Sequence, residues 1–125
     1  MDFRIELLFV PVSDVDRSKA FYADQVGFHV DYDQTVSPEL RFVQLTPPGS
    51  ACSIAIGTGL IDTKPGSLKG VQVVVDDADA ARAHLQEHGV EATPVQDLDW
   101  GRFTTFKDPD GNEWTLQQLP HRPAA

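Results

Sequence analysis

The alternation of apolar and polar positions divides the chain into short strands and two helices. From Arg4 to Val12 the residues are almost continuously apolar, β-branched or aromatic, the pattern of a buried strand. Ser13 and Asp14 follow as N-cap candidates. Val15, Ser18, Phe21 or Tyr22, and Val26 recur at helical spacing, and Gly27 stands where a helix C-cap belongs. Further strands are predicted over Phe28 to Gln34, Leu40 to Leu45 and Ala51 to Ile56, with a breaker at Ser37-Pro38 and a turn at Pro47-Pro48-Gly49. Gly57 to Gly66 carries Gly, Asp and Pro and reads as a connection.

The pattern then starts again. Gly70 to Val75 is a valine-rich strand, Asp76-Asp77 offers a cap, and Ala78, Ala81 and Leu85 mark one helix face ended by Gly89. Short strands are expected near Val90 to Thr93, over Gly101 to Phe106, and over Glu113 to Leu119. Asp108-Pro109-Asp110-Gly111-Asn112 is a strong turn signal before the last of them. The tail from His121 to Ala125 reads as frayed.

The two halves resemble each other. Val12 to Asp16 matches Val75 to Asp79 at an offset of 63, and Gly27 matches Gly89 at 62. Pro48-Gly49-Ser50 matches Asp110-Gly111-Asn112 at the same offset of 62. Three landmarks in register with one gap indicate a duplicated module rather than a repeat array. The predicted fold class is therefore α+β: two βαβββ modules forming a cupped mixed sheet with helices on the outer face. Residues 1–125 read as one domain, with module 1 over 4–57, a linker over 58–68 and module 2 over 69–119.

Composition narrows the function classes. With 125 residues, 41% hydrophobic and 23% charged, the chain suits one globular domain. A single cysteine, Cys52, excludes an internal disulfide and fits a reducing, cytoplasmic setting. No apolar run approaches the ~20 residues of a membrane helix. The opening MDFRIELLFVPV lacks a basic n-region and reads as a strand, not a signal peptide. The net charge of −9, from 19 acids against 10 basic residues, argues against a nucleic-acid partner. An acidic surface attracts cations weakly, although solubility is the simpler account.

Val12 to Tyr22 (V-S-D-V-D-R-S-K-A-F-Y), Val26-Gly27-Phe28, and Phe106 to Asn112 (F-x-D-P-D-G-N) resemble the glyoxalase / bleomycin-resistance / extradiol-dioxygenase superfamily, over about Arg4 to Leu119. The residues that carry the resemblance also have structural reasons of their own. Asp14 caps the first helix, Phe21 and Tyr22 supply apolar area, and Gly111 permits a positive φ.

Enzymes of this superfamily usually hold one divalent metal in the cup, and the resemblance implies where its ligands would stand. Counted from Asp14, the repeat offset and Asn112, those positions are Leu7, Ser53, Gly70 and Thr115. None is an imidazole, carboxylate or thiolate, so neither a metal nor another cofactor is expected. Glu6, one residue away, should point out of the cup. His84 and His88 sit at a ligand spacing but in a polar stretch, and read as solvent-facing. His29 beside Asp31 reads as a surface strand residue, Cys52 as a small buried one, and His121 lies in the tail.

Strand alternation gives the cup its lining. Phe9 joins Leu7, Ala51 and Ala55 join Ser53, Gln72 and Val74 join Gly70, and Glu113 and Gln117 join Thr115. Trp100 and Arg102 are candidates for the rim, by stacking or cation–π contact; a loop aromatic and a surface ion pair are the alternatives. This lining suits a small organic ligand. The expected function is metal-independent small-molecule binding, of the kind that sequesters a drug or metabolite. One alternative is a glyoxalase-like lyase or isomerase, or a dioxygenase-related enzyme, using side chains such as Glu113 as general base. Another is a subunit whose cup is vestigial and whose sheet edges serve assembly. The resemblance implies a homodimer, because relatives often complete their cups across a two-fold axis.

Overall fold

The computed structural model describes residues 1–120; the tail from His121, read above as frayed, lies outside the described residues. The first module runs β1 (Leu7–Phe9), α1 (Val15–Ala20), a π-helix (Phe21–Val26), β2 (His29–Ser37), β3 (Leu40–Thr46) and β4 (Ser53–Thr58). The second runs β5 (Val71–Val74), α2 (Ala78–Glu87), β6 (Gln96–Leu98), β7 (Gly101–Lys107) and β8 (Glu113–Gln118). Each module builds one mixed four-stranded sheet, ordered β1-β4-β3-β2 and β5-β8-β7-β6. The first strand of each is parallel to the last, and the other neighbours are antiparallel. Fold class and duplication are those the sequence predicts.

The helix starts follow from the capping residues. Asp14 and Asp77 are extended, and each side chain accepts the amide proton three residues on, from Arg17 and Ala80. Gly27, at φ 100°, ends the first helical stretch, and its amide bonds back to the Tyr22 carbonyl. The helical spacing seen from Val15 to Val26 changes from α to π at Phe21, where two adjacent aromatic side chains, Phe21 and Tyr22, are both buried.

Two strands differ most from the sequence reading. The first strand is paired only over Leu7–Phe9, because its single neighbour β4 begins at Ser53. The strand expected at Val90 to Thr93 keeps one bridge, Ala92 to Phe106, and regular pairing resumes at Gln96. Pro94 explains the break: it has no amide proton to offer the ladder. Thr93 compensates by bonding Thr105 through both its backbone and its hydroxyl.

One apolar cluster takes side chains from both modules, with Val43, Leu45, Ile54 and Ile56 from the first sheet and Phe106, Trp114 and Leu116 from the second. Phe21 and Tyr22 carry the first module's helical segment onto Phe106 and Trp114. The turn from Asp108 to Asn112 locks this junction. Asn112 Nδ2 donates to the Pro11 carbonyl at 2.7 Å, and its Oδ1 accepts from the Leu68 amide at 3.0 Å. Asp110 accepts from the Ser13 amide and hydroxyl and from Arg17.

Candidate functional site

Strand register decides which side chains share a face. In the first module Leu7 is level with Ser53, Phe9 and Gln44 with Ala55, and Phe42 with Gly57. These point away from Leu8, Val43, Leu45, Ile54 and Ile56, which enter the core. In the second, Gln72 and Thr105 are level with Thr115, Val74 and Phe103 with Gln117, and Lys107 with Glu113. Their opposite face carries the buried Trp114, Leu116 and Phe106. Each sheet thus has one face on the core and one bare face. Phe9 (41% exposed), Tyr32 (61%) and Val74 (59%) lie on the bare ones.

The register corrects one of the four positions taken from the resemblance. Ser53 and Thr115 are repeat partners, and their neighbours across the ladder are Leu7 and Gln72. Gly70 precedes β5 at φ 83° and has no place in the ladder. The offset fails because the link from β1 to the Asp14 cap is two residues longer than the link from β5 to Asp77. The equivalent set is therefore Leu7, Ser53, Gln72 and Thr115.

Arg102 leaves the cup group. It stands on the helix side of β7, bonded to Asp79 of α2 at 2.6 Å and to Asp97 at 2.5 Å, and these carboxylates hold the guanidinium above its ordinary pKa. Trp100 is 62% exposed, and its carbonyl accepts from the Gln117 amide at 3.2 Å, so the loop tip stands beside the bare face of β8.

Ser53 and Gln72, from different modules, line one cavity of about 310 Å³ together with Leu8, the Pro47–Ser50 turn and Trp114. Glu113 does not reach it. With Lys107, Phe21 and Arg82, Glu113 lines a separate open groove of about 810 Å³. No histidine, serine or cysteine of the described residues pairs with Glu113 in a base–nucleophile arrangement.

The donors do not fit a transition metal. Across the equivalent set there is one carboxamide, two hydroxyls and an alkyl group, and no three His, Cys, Asp or Glu side chains converge among the described residues. The hydroxyls are engaged elsewhere: Ser53 lies 2.6 Å from Thr46 Oγ1, and Thr115 lies 3.3 Å from Thr105 Oγ1. The histidine pair is occupied by backbone. His84 Nε2 meets the Val26 carbonyl at 2.9 Å, and His88 Nδ1 meets the His84 carbonyl at 2.7 Å.

Sequence reasoning missed several bare-face residues. Phe42 and Phe103 add aromatic surface, one in each module. Asp31 and Thr46 form a polar cluster with Gln44 and Ser53. Strict alternation would put Asp31 on the same face as Asp33, but a β2 bulge between Val30 and Tyr32 separates them. Asp33 faces α1, where it accepts from Arg41 and Lys19.

Comparison with known proteins agrees with this architecture. A solved structure of TnmS3, an antibiotic binding protein from Streptomyces sp. CB03234, is 38% identical and superposes with a TM-score of 0.86, covering 95% of this chain and 98% of that one. A glyoxalase/bleomycin resistance protein from the same organism is 39% identical, with a TM-score of 0.81, covering 92% and 100%. The uncharacterized protein YetH of Bacillus subtilis (strain 168) is 28% identical over 92% of this chain and 98% of its own length. The profile of one family matches residues 4–116, which takes in both modules from β1 into β8. On its duplicated fold, its register and this match, the chain belongs to the glyoxalase/bleomycin resistance protein/dioxygenase superfamily.

Proposed function

We propose that this protein binds a small organic molecule without a metal, on the bare sheet faces and in the cavity between Ser53 and Gln72. The observation that carries this reading is the character of the site. The ligand-equivalent positions hold Leu7, Ser53, Gln72 and Thr115, amid exposed Phe9, Tyr32 and Val74. Apolar area with a few directed polar groups suits packing against an aromatic or polycyclic ligand. Contiguous exposed apolar surface also marks an interaction site. The likeness to TnmS3, an antibiotic binding protein, supports an antibiotic-like ligand here.

The same exposed surface supports a homodimer in which two copies bring bare faces together. No helix among the described residues is long and apolar enough to cross a membrane, and the single cysteine fits a cytoplasmic location.

The test is a thermal-shift titration of the purified protein with a panel of polycyclic and glycopeptide antibiotics, in parallel with elemental analysis. A ligand that binds only the folded state raises the melting temperature. The expected result is a concentration-dependent rise in a preparation without stoichiometric metal. Stoichiometric zinc, nickel, iron or manganese, with turnover lost on chelation, would sink the proposal in favour of an enzyme.

A further inference from the structure

Asp31 is the extra residue of the β2 bulge, between Val30, level with Leu45, and Tyr32, level with Gln44. Its Oδ2 accepts the Thr46 hydroxyl proton in a short contact, and an amide proton of Gln44 at 3.4 Å. Thr46 Oγ1 in turn lies 2.6 Å from Ser53 Oγ. Each hydroxyl has a single proton, and a carboxylate has none to give. The Thr46 proton is committed to Asp31, so Thr46 Oγ1 faces Ser53 only as an acceptor. Ser53 must then donate its own proton to Thr46. What Ser53 Oγ retains is a pair of lone pairs, and Ser53 is among the residues that line the 310 Å³ cavity. Gln44 gives one amide N–H to Asp31, which leaves its second N–H and its carbonyl oxygen.

We infer that Asp31, acting through Thr46, sets the hydrogen-bond polarity of the ligand site, so that Ser53 accepts from a ligand N–H or O–H group. The inference rests on the small-molecule reading above and specifies the ligand class: a flat organic molecule whose rim carries amino or hydroxyl donors. An ether, tertiary amine or carbonyl in the same place brings no proton to the Ser53 lone pairs. Asp31 and Thr46 are positioning residues, since they act through Ser53.

Two acridine dyes separate the possibilities. Proflavine and acridine orange share the ring cation and differ in carrying primary amino or dimethylamino groups. Fluorescence titration gives the ratio of their affinities for the wild type, Thr46→Val and Ser53→Ala. Thr46→Val frees the Ser53 proton without touching Ser53, and Ser53→Ala removes the acceptor. Wild type is expected to favour proflavine, and both variants to lower that preference about fivefold, the worth of one neutral hydrogen bond. Neutron diffraction from deuterated crystals reads the same relay without a ligand. It should show the Thr46 deuteron toward Asp31 and the Ser53 deuteron toward Thr46. Dyes that bind with one ratio in all three proteins overturn the relay and leave small-molecule binding standing, as does a Ser53 deuteron pointing into the cavity. Failure of both dyes to bind the wild type overturns this inference together with the binding reading beneath it.

Discussion

The phenol of Tyr22 donates a 2.7 Å hydrogen bond to the carboxylate of Asp108, 86 residues further along the chain. The same oxygen accepts from Trp114 Nε1 at 2.9 Å. Asp108 also accepts from the Asp110 and Asn112 amides and from Asn112 Nδ2. One buried carboxylate thus shapes its own turn and binds the first module's helical segment to the second module's sheet. Burial, with the Asp108 charge adding to it, holds the Tyr22 phenol well above the ordinary tyrosine range, so it stays a neutral donor.

Tyr22→Phe should therefore cost more than its one missing oxygen implies. It leaves Asp108 short of a donor and Trp114 Nε1 without an acceptor, both inside the core. The expected loss is about 2–4 kcal/mol, read by urea unfolding. A loss under about 0.5 kcal/mol, within the range of surface substitutions, would show that the two groups are not load-sharing across the modules.

Gly66 packs its α-carbon against the turn. At φ 82°, a Cβ there would stand 2.1 Å from the Asp110 carbonyl oxygen. Gly49 has nearly the same φ, 80°, with nothing within 4 Å of its Cβ position. Gly49→Ala should cost about 1 kcal/mol, for backbone strain alone. Gly66→Ala should cost clearly more, because backbone must move. Equal losses in the two variants, measured by denaturant unfolding, would contradict a tight fit at the junction.

Asp33 should make the first module acid-sensitive. Hydrogen bonds from Arg41, then from Lys19, hold its carboxyl well below the usual range. A folded pKa below the unfolded value gives stability that is complete above the unfolded value of about 3.9. It is lost as pH falls through the folded value. Asp33→Asn should cost about 1 kcal/mol at pH 7, a figure reduced for screening of partly exposed charges. The gap between variant and wild type should start to narrow as the pH drops below about 3.9 and go on narrowing toward about 2. A gap that stays constant from pH 7 to that limit would exclude the linkage.

Self-association should depend on the bare faces. Val74→Asp places a charge among exposed apolar side chains without entering the core, so the fold should survive it. Wild type is expected to sediment as a dimer and Val74→Asp as a monomer with an unchanged circular dichroism spectrum. A wild type that remains monomeric at tens of micromolar would remove support for cups shared between two copies.

Local signals carried most of the fold. The apolar runs, the Asp14 and Asp77 caps, the Gly27 stop and the turn before β8 each depend on a few adjacent residues, so they are legible along the chain. The π turn at Phe21 and Tyr22 was not, because it depends on what those rings bury against in the other module. The repeat was legible too, yet it could not tell that Gln72, not Gly70, stands level with Thr115. Ladder register is a relation between strands, and two extra residues after β1 shift it invisibly.

The amino-acid sequence by itself determined the duplicated βαβββ order, because short-range pattern is a property of neighbours in the chain. Tertiary structure alone decided that Asp108 joins the modules, that Arg102 turns to α2, and that Asp31 reaches Ser53 through Thr46. Each of these is a contact between distant segments, settled by strand pairing and by one bulge that turns an acidic side chain onto the other face of its sheet.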